Sequence, residues 1–173
     1  MAAPGIKRLA VDSNLLFDLA AGEDFAHTFL ESFQERGYSF RAPPTVVEEL
    51  VFISLKRTTR DPSEIAICGL AQMALQNMLS WQITPFDLPP VGRGITEQFA
   101  RILQQRGHLP EGEFNDGLIL AETSLAGIPV LVTNDRHLTD IDPVQLRLSF
   151  ESSDLTPVAV SRPGAMLRAL ARS

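Results

Sequence analysis

Short apolar runs, each closed by a polar break and followed by helical spacing, recur along this chain. Residues 6–11 (IKRLAV) read as a buried strand. Asp12-Ser13-Asn14 ends that run, and LLFDLAAG predicts a helix. Residues 23–36 place Phe25, Phe29, Leu30 and Phe33 at helical spacing, with Gly37 as a stop. Residues 38–42 predict a second strand, ended by Pro43-Pro44. Thr45 and Glu48 have the spacing of a capping box for a helix through TVVEELVFISLKR. Asp61-Pro62-Ser63-Glu64 gives an acidic cap, an early proline and an acidic first turn, so a helix is expected from there to Ser80.

Residues 81–84 predict a strand before the loop PFDLPPVGRG, and residues 96–106 a helix stopped by Gly107. Beyond a polar loop, Asn115 is expected to cap a helix DGLILAETSLA that ends at Gly127. PVLVT (129–133) is the clearest strand of the chain. LRLSF and TPVAV predict two more strands, and PGAMLRALAR predicts a last helix with proline near its start. Strands therefore alternate with helices. This order predicts one α/β domain over residues 1–173, three-layered, with a central mainly parallel sheet and helices on both faces.

Composition narrows the class. The 173 residues suffice for one sizeable core, and 45% hydrophobic with 21% charged residues is ordinary for a globular chain. No run approaches the roughly 18 apolar residues of a membrane span, and the N-terminus is too short in apolar residues for a secretory signal. The single Cys68, within IAICGLA, forms neither an intrachain disulfide nor a thiolate zinc cage and reads as a small buried residue. A cytoplasmic protein with no membrane partner is the expectation. The net charge of −6 argues against a general coater of nucleic acid.

The candidate chemistry lies in four acids beside apolar runs: Asp12 after LAV, Glu49 in TVVEEL, Asp116 in FNDGLILAE and Asp135 in PVLVTNDRHL. Ligands of open parallel sheets bind beyond the carboxyl ends of the strands, where Asp12 and Asp135 stand. Asp116 and Glu49 fall in the first and second turns of predicted helices. Carboxylates gathered there repel one another and call for a hard cation, Mg²⁺ or Mn²⁺. Such cations activate water and stabilise a leaving oxygen in phosphodiester hydrolysis. Taken singly, each acid is equally at home as a turn former or a helix-dipole partner. Arg136 and His137 adjoin Asp135, where they can reach a phosphate or simply lie in solvent. Lys56, Arg57 and Arg60 are a basic group that can grip phosphates or complement a helix C-terminus. No Asp-x-Asp follows the first strand, because Asn14 occupies the second position, and no Gly-x-Gly-x-x-Gly follows a strand. A phosphoaspartyl phosphatase and a dinucleotide binder are therefore disfavoured.

LAVDSNLLFDL, PPTVVEEL, FNDGLILAETSLAGIPVLVTNDRHL and PVAVSRPGAML together resemble the PIN-domain family of metal-dependent ribonucleases, which includes VapC-type toxins. The resemblance implies a PIN-like α/β/α fold and a Mg²⁺- or Mn²⁺-dependent endoribonuclease acting on RNA. It implies Asp12, Glu49, Asp116 and Asp135 as the first to fourth metal-binding acids, with Glu48 the rival of Glu49. It also implies Asn14, Thr133 and Asn134, along with Ser13, as residues that orient ligands or water. For the toxin branch it implies a homodimer silenced by an antitoxin protein. The alternative is a non-catalytic PIN-like module that binds RNA or protein.

Overall fold

The computed structural model describes residues 7–56 and 60–173. Strand β1 (Lys7–Val11) leads into helices α1 (Ser13–Ala21) and α2 (Asp24–Gln34). Strand β2 (Tyr38–Ala42) is followed by α3 (Pro44–Ser54) and α4 (Pro62–Asn77). Strand β3 (Ile83–Pro85) precedes α5 (Gly92–Gln105), a 3-10 turn (Glu111–Glu113) and α6 (Phe114–Leu125). Strand β4 (Val130–Val132), α7 (Arg136–Thr139), α8 (Pro143–Glu151), β5 (Ala159–Ser161) and α9 (Pro163–Ala171) complete the order.

The strands form one sheet in the order β3-β2-β1-β4-β5, and all four pairings are parallel. The chain winds outward from β1 through β2 to β3, then crosses back to lay β4 on the other side of β1. The junction of β1 and β4 is thus the switch point, where the crevice of an open α/β sheet lies. The predicted α/β architecture is the observed one, with a sheet that is wholly rather than mainly parallel.

The central strands are apolar because both faces are covered. Leu9, Ala10 and Val11 of β1 and Leu131 and Val132 of β4 are at most 1% exposed. Phe29 packs on Phe33 and edge-on to Phe40 (centroids 4.7 and 5.8 Å), joining α2 to β2. Each such side chain contributes about 1.5–3 kcal/mol on burial. Phe25, of the same predicted stripe, is instead 40% exposed. Cys68 is buried, as expected of a small core residue.

Several boundaries differ from the sequence reading, each for a local reason. The LRLSF segment is helical, within α8. Its alternation imitates a strand, but Asp142 Oδ1 accepts the N–H groups of Val144 and Gln145, and Pro143 fits the first helical position. Buried Leu146, Ser149 and Phe150 then follow helical spacing. Thr45 does not cap α3, which begins at Pro44 after Pro43, and its hydroxyl is engaged elsewhere. Asn115 does not cap α6 either, because the 3-10 turn runs directly into that helix at Phe114. Strand β3 starts at Ile83 because Gln82 is left-handed, with φ of 58°. Helix α5 starts earlier than expected, at Gly92. The Asp61 cap and the early Pro62 of α4 are as predicted. Ile6 and Arg57 lie outside the described residues. Lys56 stands over the Phe52 ring at 5.7 Å, and Arg60 is exposed. Among the described residues no helix is long and apolar enough to cross a membrane.

Candidate metal centre

The parallel pairing of β1 with β4 brings Asp12 and Thr133 together across 121 positions of chain. Asp12 leaves β1 and caps α1, its Oδ1 accepting the Ser13 N–H at 2.7 Å. Its Oδ2 accepts the Thr133 hydroxyl at 2.6 Å and the Asn14 amide at 3.2 Å. Thr133 Oγ1 accepts in turn from the Asn14 amide (3.0 Å) and the Asp135 N–H (2.9 Å). The backbone N–H of Asn134 donates to Asn14 Oδ1 at 3.3 Å. Asn14 and Thr133 therefore hold the Asp12 carboxylate between the two strand ends, while the Asn134 side chain acts on Asp18, opposing the rise that burial gives that carboxyl's pKa. Burial raises the Asp12 pKa, the bonds from Thr133 and Ser13 oppose it, and the Asp135 charge adds to it.

Asp116 occupies the first turn of α6 and is 7% exposed. Its Oδ2 is a buried oxygen without a hydrogen-bond partner. Burial, then the fields of Asp12, Asp135, Glu113 and Glu49, push its pKa up to about 8. The next residue must be small: a Cβ on Gly117 would lie 2.7 Å from the Ala100 backbone, so glycine lets α5 close on α6 beside the acid. Asp135 is half-buried and caps the short helix α7, accepting the His137 N–H at 2.8 Å.

Glu49 comes from α3 and accepts the Asn115 amide at 3.0 Å. Burial raises its pKa, the Asn115 bond opposes that, and the Asp12 charge raises it further. Glu48 is exposed and lines a neighbouring cleft of about 410 Å³ with Thr45, Asp87 and Glu122. Of the two glutamates, Glu49 is the one whose pKa the Asp12 and Glu113 charges raise.

The most compact set of donors differs from the expected quartet. Glu113, Asp116, Asp135 and His137 each offer a donor atom, and these atoms all lie within 4.8 Å of one another. Asp12 and Glu49 border this set and act on it through their charge. The sequence reading missed Glu113, whose signal is its place one turn before Asp116 on the 3-10 turn. His137, read from the sequence as a phosphate neighbour or a solvated loop residue, is here a member of the donor set. Arg136 is exposed and lines a surface depression of about 780 Å³ with His108, Glu111 and His137.

Glu122 was also missed. It is 4% exposed on α6, yet both its oxygens are bonded: Oε2 to the Thr45 N–H at 3.1 Å, Oε1 to the Thr45 hydroxyl at 2.6 Å. Burial raises its pKa to about 7 against those two bonds, with the Glu48 and Glu49 charges adding. This contact and the Glu49–Asn115 bond tie α3 to α6 at two levels.

The donor set suits a divalent cation. Its oxygens are hard, its carboxylates repel one another, and Asp116 keeps a buried oxygen that no protein donor meets.

No family model and no curated protein matches the chain. Solved structures do. VapBC2 from Rickettsia felis, bound to a DNA fragment from its promoter, aligns with a TM-score of 0.61 and 17% identity, covering 90% of this chain and 98% of that one. FitAcB from Neisseria gonorrhoeae aligns with a TM-score of 0.50 and 20% identity, covering 90% and 97%. The five-stranded parallel sheet and its flanking helices are accordingly those of the PIN-domain fold, shared with these structures.

Proposed function

We propose that this protein is a divalent-cation-dependent endoribonuclease of the PIN type. The observation that carries the proposal is Asp116: a buried carboxylate with one unmet oxygen, facing Glu113, Asp135 and His137 at the switch point of the sheet. Asp12, Glu49, Asp116 and Asp135 would hold Mg²⁺ or Mn²⁺, with Glu113 and His137 beside them. A bound cation would supply an activated water and neutralise charge developing on the phosphate.

The chain's own residues do the rest. Thr133, Ser13 and Asn14 fix the Asp12 carboxylate in one orientation, as supporting bonds do for ligands generally. Asn115 orients Glu49. The Asn134 backbone closes the β4 end against Asn14. Arg136, exposed next to the donor set, is placed to bind an RNA phosphate. The similar structures are toxin–antitoxin complexes, one of them on promoter DNA, which supports an antitoxin protein as partner. Exposed Phe52 (68%), Leu55 (60%) and Ile65 (55%) along α3 and α4 are consistent with the proposed homodimer. A cytoplasmic location belongs to the same reading.

The test is cleavage of a generic RNA by purified protein. Activity is expected with Mg²⁺ or Mn²⁺, none in EDTA, and none in Asp12→Asn or Asp135→Asn. Full cleavage in excess chelator would refute the proposal. A protein that binds the cation and RNA yet cuts nothing would be the non-catalytic module instead.

A further inference from the structure

We propose that His137 is a nitrogen ligand of this cation site, which makes the site select Mn²⁺ over Mg²⁺. The inference rests on the metal-dependent reading above and adds a donor and a selectivity to it. His137 Nδ1 is turned into the acidic set, 3.3 Å from Glu113 Oε1 and 3.6 Å from Asp135 Oδ1. It is the one nitrogen among the four donors that lie within 4.8 Å of one another. Its backbone is fixed as well, because Asp135 Oδ1 accepts the His137 backbone N–H at 2.8 Å and so keeps the residue beside an acid of the same set. The independent sign that a ligand belongs here is Asp116, whose carboxylate joins the set, is 7% exposed and keeps one oxygen without a partner.

Donor chemistry gives the selectivity. Mg²⁺ takes oxygen ligands in near-ideal octahedral geometry and gives up its waters reluctantly. An imidazole nitrogen suits first-row transition cations far better. Three carboxylates with one imidazole therefore make a mixed oxygen and nitrogen site that Mn²⁺ tolerates and Mg²⁺ fills poorly. Glu113 has a defined part in this arrangement. Its Oε1 lies 3.3 Å from Nδ1, so one cation between them would draw on both atoms.

The experiment is pulsed electron paramagnetic resonance of Mn²⁺ added to the full chain, paired with calorimetric titration by Mn²⁺ and by Mg²⁺. Wild type should show the modulation of a directly bound imidazole nitrogen, and His137→Ala should lack it. His137→Ala should weaken Mn²⁺ binding by about tenfold or more while leaving Mg²⁺ binding nearly unchanged. The side chain is 47% exposed, so the variant is expected to fold, and its melting curve checks this. Glu113→Gln should keep the nitrogen modulation with weaker Mn²⁺ binding. Tight Mn²⁺ binding without nitrogen modulation in wild type would overturn the role of His137 and leave the nuclease reading standing. Absence of Mn²⁺ binding, or binding that survives Asp116→Asn unchanged, would overturn both.

Discussion

Asp116 and Glu122 lie on the same helix, and both are almost fully buried, at 7% and 4% exposure. Their surroundings differ. Glu122 meets the N–H and hydroxyl of Thr45, so each of its oxygens is answered by the protein. Asp116 retains an unanswered oxygen and faces further acids. A buried carboxylate is costly unless bonded. The Glu122 arrangement reduces that cost within the fold and ties α3 to α6. The Asp116 arrangement leaves the cost in place for something outside the chain to relieve. One acid is part of the scaffold, and the other has an oxygen open to a ligand.

The sharpest way to break this contrast is Asp116→Asn. Activity should fall by more than about 100-fold, since a first ligand matters at least as much as its supporting bonds. Melting temperature should hold or rise, because a buried carboxyl that ionises only at a cost is gone. A large loss of stability with cleavage intact would erase the distinction. Glu122→Ala should behave in the opposite way. It strands the buried donors of Thr45 and should cost about 1–3 kcal/mol, seen as a lower midpoint in urea, while cleavage per folded molecule drops far less than in Asp116→Asn.

The third prediction concerns pH, where the effect is spread over several pH units. Folding raises the pKa of Asp116 from 3.8 to about 8 and that of Glu122 from 4.5 to about 7. The folded chain then binds protons more tightly than the unfolded one. Each contribution is complete below the ordinary carboxylate range and is lost as pH rises through about 7 for Glu122 and about 8 for Asp116. Cation-free protein should therefore lose melting temperature as pH rises toward 8. Added Mn²⁺ should oppose that loss most strongly at its upper end, and Asp116→Asn should leave no further loss above about 7, where only Asp116 still titrates. Glu122→Gln should remove only the Glu122 share, between 4.5 and about 7. A flat profile without cation would show that neither acid is strained.

The same pair shows what could be read from the sequence. Asp12 and Asp135 stand out because the first directly follows an apolar strand and the second comes just after another, past Thr133 and Asn134, and a parallel sheet collects such ends at one edge. Asp116 opens an apolar helix and is equally visible. Glu122 is hidden because GLILAETSLA says only that a charge sits in a helix, and the residue that answers it, Thr45, is 77 positions away. Thr45 itself misleads, since its spacing to Glu48 imitates a cap while proline already starts the helix. Glu113 was hidden by an unforeseen 3-10 turn, which places it one turn from Asp116. The strand order was legible only as a class, because nothing local states that β4 rather than β2 shares the Asp12 edge. LRLSF shows how brief alternation fails when an Asp-Pro start signal precedes it.

Strand β1 is laid down first but acquires its second neighbour only when residues 130–132 arrive. A ribosome that stalls before that point releases a polypeptide in which Asp12 has neither Thr133 nor Asp135 within reach. Whatever chemistry needs these side chains together is therefore withheld until Asp135 has been made.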